Sequence, residues 1–281
     1  MTKKVISSYK ERKYRDKEWL SHQYLSLMKP QNVIGETCGS SPGTIGKWLS
    51  IHGIEKRSLG LIKHLSCGNM LDISKEGVQF IDGLLLGDGH IDHRSVYSSR
   101  YQHSEKHEEY LAWLSEKLHG FGIGQSGSIT LMEYPEQGDD VTAYHYCSKS
   151  YDGLLEFRNR WYADGKKKVP KDLVLDPLAA FNWYIGDGNL KHPRKARPFI
   201  ELCTCDFTTC DVHFLIEKLG DVGIIGTRTP SDNTIRLSNK NALIFLDFIS
   251  PYYSYAKTCY KYKWDLTRTK KEWEAEFSNA R

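Results

Sequence analysis

Two apolar stretches end in the same three residues: Ile81-Asp82-Gly83-Leu84-Leu85-Leu86-Gly87-Asp88-Gly89 and Ala180-Phe181-Asn182-Trp183-Tyr184-Ile185-Gly186-Asp187-Gly188. The second Gly-Asp-Gly lies 99 residues after the first. The likeness continues downstream. Ser115-Glu116-Lys117-Leu118 to Gly122-Ile123 returns as Ile216-Glu217-Lys218-Leu219 to Gly223-Ile224, and Leu155-Glu156-Phe157 returns as Leu246-Asp247-Phe248. Three matches in the same order at similar offsets mark an internal duplication.

Each copy is expected to run helix, two strands, helix, two strands, helix. In the first, strands are expected near His90–Tyr97, Ser99–Ser104, Ser128–Glu133 and Val141–Cys147. The helix between them, Glu105–His119, has Tyr110, Leu111, Leu114 and Leu118 on one face. In the second, Arg197–Cys205 and Thr234–Leu237 read as strands, and Thr208–Leu219 and Asn239–Ile249 as helices. Asp176 followed by Pro177 is a helix start, and Ser74 can cap the earlier one. The product is an α+β body of two αββαββα halves, over 72–175 and 176–281.

An aspartate at a helix C-terminus faces partial negative charge, which costs about 0.3–1 kcal/mol. Each of these is followed by a glycine able to take the left-handed conformation that ends a helix. One such Asp-Gly is an ordinary turn. Two of them, on duplicated apolar helices, bring like charges together if the helices pack side by side. A pair of that kind suits a hard divalent cation, which takes oxygen ligands.

The two phrases resemble the paired LAGLIDADG motifs of homing endonucleases, in the single-chain, two-motif branch. The resemblance covers about residues 72–265 and extends to Asp176-Pro177-Leu178-Ala179-Ala180 and Tyr260-Lys261-Tyr262-Lys263. It implies that the motif helices pack at the centre of a pseudo-dimer whose curved sheets straddle DNA. Gly83 and its counterpart Asn182 fall at the close contact, where Asn182, Trp183 and Tyr184 depart from the family's consensus. It also implies that Asp88 and Asp187, with the carbonyls of Gly87 and Gly186, bind two or three Mg²⁺ ions. Mn²⁺ is expected to substitute, and Ca²⁺ to bind without cleavage. The implied reaction is hydrolysis of one phosphodiester per strand, leaving short 3′ overhangs, by a monomer on a long asymmetric double-stranded DNA site.

Within that reading, lysines near the metals stabilise developing negative charge. Lys168, in Lys166-Lys167-Lys168, is the expected residue of the first copy, and Lys261 or Lys257 that of the second. DNA contacts are expected from outward strand positions, which alternate with core positions. His90, Asp92 and Arg94 form one such set, and Ser99, Tyr101 and His103 another. Arg100, Arg194, Lys195, Arg197, Arg228 and Arg236 complete the candidates.

The first 63 residues carry 12 Lys/Arg against 5 Asp/Glu, whereas the remainder carries 27 against 30. A basic segment on a near-neutral body points to a polyanion partner. The segment reads as a helix over Tyr14–Leu27, a second over Pro30–Cys38, a Gly39-Ser40-Ser41 turn and a third over Pro42–Leu49. Val33, Ile34, Cys38, Ile45, Trp48 and Leu49 are its expected core. It resembles the helix-turn-helix family, in which the recognition helix enters the major groove. That resemblance implies a DNA-binding domain over 1–60, with Ser41, Gly43, Thr44 and Lys47 on the contacting face. Ser58–Leu71 reads as the linker to the body.

The chain has 281 residues, 40% hydrophobic and 26% charged, which excludes a mainly disordered or collagen-like protein. No apolar run approaches the roughly 20 residues of a membrane span, and the N-terminus has no signal-peptide core. The 7 cysteines, an odd number without framework spacing, fit reduced thiols. The expectation is an intracellular protein that is neither secreted nor membrane-bound. Cys203, Cys205 and Cys210 lack a fourth ligand at zinc-site spacing, so a structural role is expected for them. The histidines form no recognisable metal motif. Two other readings stand beside the endonuclease: an RNA-binding intron maturase, and a DNA-binding transcription regulator that has lost catalysis.

Overall fold

The computed structural model describes residues 12–58, 70–133, 142–256 and 259–267. Lys257 and most of the Ser58–Leu71 stretch therefore lie outside the described residues. The chain divides into two compact units, Met1–Gly68 and Asn69–Arg281.

In the first unit, α1 (Lys17–Ser21) continues into a wider turn over His22–Ser26, followed by α2 (Gln31–Cys38) and α3 (Pro42–Ile51). Asp16 caps α1 by accepting the N–H groups of Glu18 and Trp19. Between α2 and α3, Gly39 at φ 63° makes the left-handed turn that few other residues tolerate. Gly35, by contrast with Gly46, has a packing reason: a Cβ there would run into the backbone carbonyl of Ser40, whereas one on Gly46 would meet only the movable end of the Gln31 side chain. Tyr14, Leu20, Tyr24, Ile34, Cys38, Ile45, Leu49 and Ile54 form the core. Val33, expected inside, is 37% exposed. It precedes the buried Ile34 by one position, so the helical twist carries it out of the interface.

The second unit repeats one topology twice. The first half runs α4 (Lys75–Leu86), β1 (His90–Ser95), β2 (Ser98–Glu105), α5 (Glu108–Gly120), β3 (Thr130–Glu133), β4 (Thr142–Cys147) and α6 (Asp152–Trp161). A short hairpin follows, β5 (Tyr162–Ala163) with β6 (Lys166–Lys167). The second half runs α7 (Pro177–Asp187), β7 (Gly188–Lys191), β8 (Phe199–Leu202), α8 (Thr209–Asp221), β9 (Gly226–Thr229), β10 (Thr234–Leu237) and α9 (Asn239–Phe248). The sheets have matching orders, β1-β2-β4-β3 and β7-β8-β10-β9, and every pairing is antiparallel. This is the expected duplicated αββαββα body. Strands β7 and β9 carry too little alternation to be read from the sequence, and each is only four residues long.

The motif helices start at side-chain caps. Ser74 accepts the Gly77 N–H at 3.2 Å, and Asp176 accepts the Ala179 N–H at 2.8 Å with Pro177 behind it. Both helices are buried along most of their length, and one continuous apolar core surrounds them. Their contact is backbone-close. A Cβ on Gly83 would lie 2.6 Å from Ala179 Cα, and one on Gly186 would lie 3.0 Å from Gly87 Cα. Asn182, the bulkier counterpart of Gly83, is accommodated by a hydrogen bond, its Nδ2 donating to Phe80 O at 3.1 Å.

The glycines after the two aspartates do not adopt the expected left-handed conformation. Close approach requires them instead. A Cβ on Gly89 would meet Leu84 O at 2.6 Å and the Tyr101 hydroxyl at 2.8 Å, and one on Gly188 would meet Tyr184.

Candidate active site

Packing α4 against α7 brings their C-terminal ends together. Asp88 lies just past the end of α4 and Asp187 is the last residue of α7. Both line one cleft of about 330 Å³ with His90, Lys167, Cys203 and Asp206. The Cys203 N–H donates to Asp187 O at 2.8 Å, which ties the turn carrying Asp206 to the end of α7.

Each helix end also receives a lysine. Lys167 Nζ donates to Gly87 O at 3.0 Å and Gly89 O at 2.9 Å, the carbonyls on either side of Asp88. Lys263 Nζ donates to Tyr184 O at 3.0 Å and Ile185 O at 2.6 Å. Positive charge at a helix C-terminus satisfies its unpaired carbonyls and offsets the helix dipole.

The lysines at the two helix ends are not the ones expected from the sequence. Lys168 and Lys261 are both exposed, whereas Lys167 is half-buried and Lys263 is only 5% exposed. In the β5–β6 hairpin Lys167 pairs with Tyr162 and Lys166 with Ala163. Strand alternation then turns Lys167 towards the cleft and its neighbours away. Lys263 closes a single 3₁₀ turn, Lys261–Lys263, whose last residue points inward.

The electrostatics follow from crowding. Asp187 is pushed up to about 7, first by burial and then by the charge of Asp88, against the pull of Lys167 and Lys263. Asp88 is raised by burial in the same direction, although its carboxylate faces the open cleft. Burial lowers Lys167, while Asp187, Asp88 and Asp206 pull it back up. Burial also lowers His90, reinforced by the nearby cations of Arg158 and Lys167. Like-charged carboxylates that resist ionising form an incomplete charge balance. An all-oxygen set of this kind fits a hard divalent cation.

The family model for the LAGLIDADG DNA endonuclease family matches residues 78–238, which hold both aspartates and both sheets. The chain belongs to this family. Among LAGLIDADG and other relatives, it is 29% identical over 187 residues to an uncharacterized protein of Methanocaldococcus jannaschii, covering 64% of this chain and 68% of that one. It is 27% identical over 153 residues to the cytochrome b mRNA maturase bI2 of Debaryomyces hansenii, covering 52% of this chain and 56% of the maturase. The fold is similar to that of the homing endonuclease I-WcaI, solved bound to its DNA recognition sequence. That match has a TM-score of 0.56 and 17% identity, and covers 72% of this chain and 92% of that one.

On the first LAGLIDADG half, the sheet register turns three expected nucleic-acid contacts, Ser99, Tyr101 and His103, away from the outer face. His90 pairs with Gln102 and Asp92 with Arg100, so these share a face, while Tyr101 pairs with Ile91. Ser99, Tyr101 and His103 therefore point into the core, and His103 is only 4% exposed. Its Nδ1 is 2.8 Å from the Tyr101 hydroxyl, and burial lowers it to about 4. Arg100 is outward and bonded to Asp92 at 2.9 Å, with Arg94 3.5 Å from the same carboxylate. In the second half, Arg194, Arg197 and Arg236 are exposed, and Arg236 lies 3.8 Å over the Phe199 ring. Arg228 is half-buried, its Nε held at 2.6 Å by Asn233 Oδ1 in the β9–β10 turn.

In the N-terminal unit, Ser41 is the N-cap of α3. Its Oγ lies 3.2 Å from the Thr44 N–H and 3.0 Å from Thr44 Oγ1, whereas Lys47 is simply exposed. The strand expected over Arg197–Cys205 spans only Phe199–Leu202, so Cys203 and Cys205 lie beyond its end. Sequence reasoning missed Lys167, Lys263 and Asp206. The first two were one and two positions from the residues nominated, and Asp206 carried no pattern that singles it out.

Proposed function

We propose that this LAGLIDADG protein is a site-specific double-strand DNA endonuclease that hydrolyses one phosphodiester on each strand and leaves short 3′ overhangs. One observation carries the reading: Asp88 and Asp187 converge in a single cleft at the ends of packed motif helices, each beside its own lysine. The carboxylates of Asp88 and Asp187 would hold Mg²⁺, or Mn²⁺ in its place, with Asp206 adding negative charge at the cleft edge. The bound ions would supply Lewis acidity toward the phosphate and acidify the attacking water. Lys167 and Lys263 keep the helix ends from repelling a phosphodiester and put positive charge close to where negative charge develops. The carbonyl of Gly87 is engaged by Lys167, and its second lone pair leaves room for a further contact.

Exposed polar positions on the two sheets, among them Arg94, Arg100, Arg194, Arg197 and Arg236, would meet the DNA. The two halves differ in sequence, which favours an asymmetric site and a monomeric enzyme. The basic residues 1–60 would act as a helix-turn-helix module with Ser41, Thr44 and Lys47 toward DNA, raising the effective concentration of the body (72–175 with 176–281) at its target.

Cleavage of a randomised-target DNA library tests this. Mg²⁺ is expected to yield one long cut site, Ca²⁺ binding without cutting, and the Asp88→Asn/Asp187→Asn variant no product. The similarity to a maturase favours a second reading, in which the chain binds intron RNA and assists splicing. Selective RNA binding, unaltered by that double substitution and without DNA cleavage under any metal, would establish it instead.

A further inference from the structure

A second, chemically different set of ligand atoms lies apart from the paired aspartates. A nitrogen of His107, a carboxylate oxygen of Glu109 and the sulfur of Cys259 all lie within 4.8 Å of one another. The sequence gives no warning of this trio, because Cys259 follows Glu109 by 150 residues. Folding brings them together at the N-terminus of α5.

Each donor is held in a way that leaves it suited to ligation. His107 is the N-cap of α5, but its side chain does not act as the cap acceptor. Its ring stands edge-on to Tyr260, with centroids 5.2 Å apart and planes at 84°, which fixes the ring plane. Glu109 is exposed on the first turn of the helix, where a long side chain can swing by an ångström or more. Burial, with the charges of Glu109 and Glu105, pushes the Cys259 thiol up to about 11, against a backbone hydrogen bond from Tyr110 in the same turn, so its proton leaves only when a bound cation displaces it. Tyr110, Trp113 and Tyr260 pack alongside as an aromatic wall.

We propose that His107, Glu109 and Cys259 bind a zinc-class transition-metal ion with three protein ligands and a fourth position open to water. Ligand atoms around tetrahedral zinc are about 3.3–3.8 Å apart, so side-chain movement of about 1 Å closes this trio onto an ion. One sulfur, one nitrogen and one oxygen suit a borderline-soft ion, and Mg²⁺ or Ca²⁺ would not choose a thiolate. The site therefore differs in metal preference from the all-oxygen cleft at Asp88 and Asp187.

Its place in the fold gives it a consequence. Cys259 begins the segment that continues through the buried Tyr260 to Lys263, whose ammonium sits on the carbonyls at the end of α7. A metal joining Cys259 to α5 would clip this segment to the first half and so hold Lys263 in position. The site does not depend on the protein being a nuclease.

The test uses the full chain, reduced and stripped of metal, titrated with Co²⁺ and then competed with Zn²⁺. One equivalent of Co²⁺ is expected to give a near-ultraviolet thiolate-to-metal band. Cys259→Ser should abolish the band and weaken Zn²⁺ binding at least about tenfold. His107→Asn should weaken Zn²⁺ binding by a similar factor, which keeps the test valid if Cys259→Ser does not fold. Asp88→Asn/Asp187→Asn should leave the band unchanged. Absence of a thiolate band in the unmutated protein would overturn the proposal. So would its persistence in Cys259→Ser, which would move binding to Cys203, Cys205 or Cys210.

Discussion

Lys167 and Lys263 each sit at the C-terminal end of one motif helix, Lys167 on the carbonyls flanking Asp88 and Lys263 on carbonyls two and three residues before Asp187. Lys167 comes from a two-residue strand near the end of the first half, and Lys263 from a single 3₁₀ turn near the end of the second. Each places its ammonium on backbone carbonyls at a helix C-terminus. That arrangement offsets the unfavourable placement of an aspartate there, which the sequence alone presents as a cost.

Replacing these lysines should therefore separate catalysis from stability. Lys167→Met is expected to reduce cleavage about 10²–10³-fold, the usual loss for a group that stabilises developing charge. Lys263→Met should do the same and also destabilise the protein by about 1–3 kcal/mol, because it strands buried carbonyls. Lys168→Met and Lys261→Met should stay close to the parent. Single-turnover cleavage and urea unfolding measure both effects. Equal losses at Lys167 and Lys168 would mean that the hairpin register does not govern function.

The pH dependence of stability follows from Asp187. Its carboxyl is pushed up to about 7 in the folded chain, against about 3.9 for an unfolded aspartate. Below pH 4 both states hold the proton and no cost arises. Between pH 4 and 7 the unfolded chain gives up a proton that the folded chain retains, so folding weakens as pH rises. Above pH 7 the loss is complete and constant. Asp88 is shifted in the same direction. Asp187→Asn should thus stabilise the metal-free protein by about 1–4 kcal/mol at pH 8 and change little at pH 4. Added Mg²⁺ should recover that stability in the parent alone. Urea melts in EDTA at both pH values provide the check, and a parent that gains stability from pH 4 to 8 would contradict it.

The repeat was legible because duplication preserves pattern: Gly-Asp-Gly and the capping residues Ser74 and Asp176 fixed both motif helices and the meeting of Asp88 with Asp187. Lysine choice was not legible, because Lys166, Lys167 and Lys168 are chemically identical and only the pairing of Lys167 with Tyr162 distinguishes them. His103 was misplaced for a related reason. Alternation gives two possible faces for β2, and the partner strand's His90 and Asp92 decide between them. Lys263 and Cys259 act through contacts across long sequence separations, and local periodicity carries no trace of these.

The helix contact predicts a steep response to a single methyl group. A Cβ on Gly83 would sit 2.6 Å from Ala179 Cα, a backbone atom that cannot move without its helix. Gly83→Ala should cost about 3 kcal/mol, outweighing the gain of about 1 kcal/mol in helix propensity. Gly87→Ala meets Gly186 Cα at 3.2 Å and should cost less. Equilibrium unfolding distinguishes them. A neutral Gly83→Ala would mean that the motif helices are free to separate.

Sheet register makes a final prediction about nucleic acid. Arg236 is exposed on the β8–β10 face, whereas His103 faces the core and hydrogen-bonds Tyr101. If the exposed face meets phosphates, Arg236→Ala should lower affinity for the cognate DNA and reduce the slope of log K against log salt by about 1. His103→Ala should leave that slope intact and destabilise the fold by about 1–3 kcal/mol through the lost hydrogen bond and the cavity. Binding isotherms at several salt concentrations, paired with thermal melts, read both. If His103→Ala flattens the salt dependence and Arg236→Ala does not, the two faces have been assigned the wrong way round.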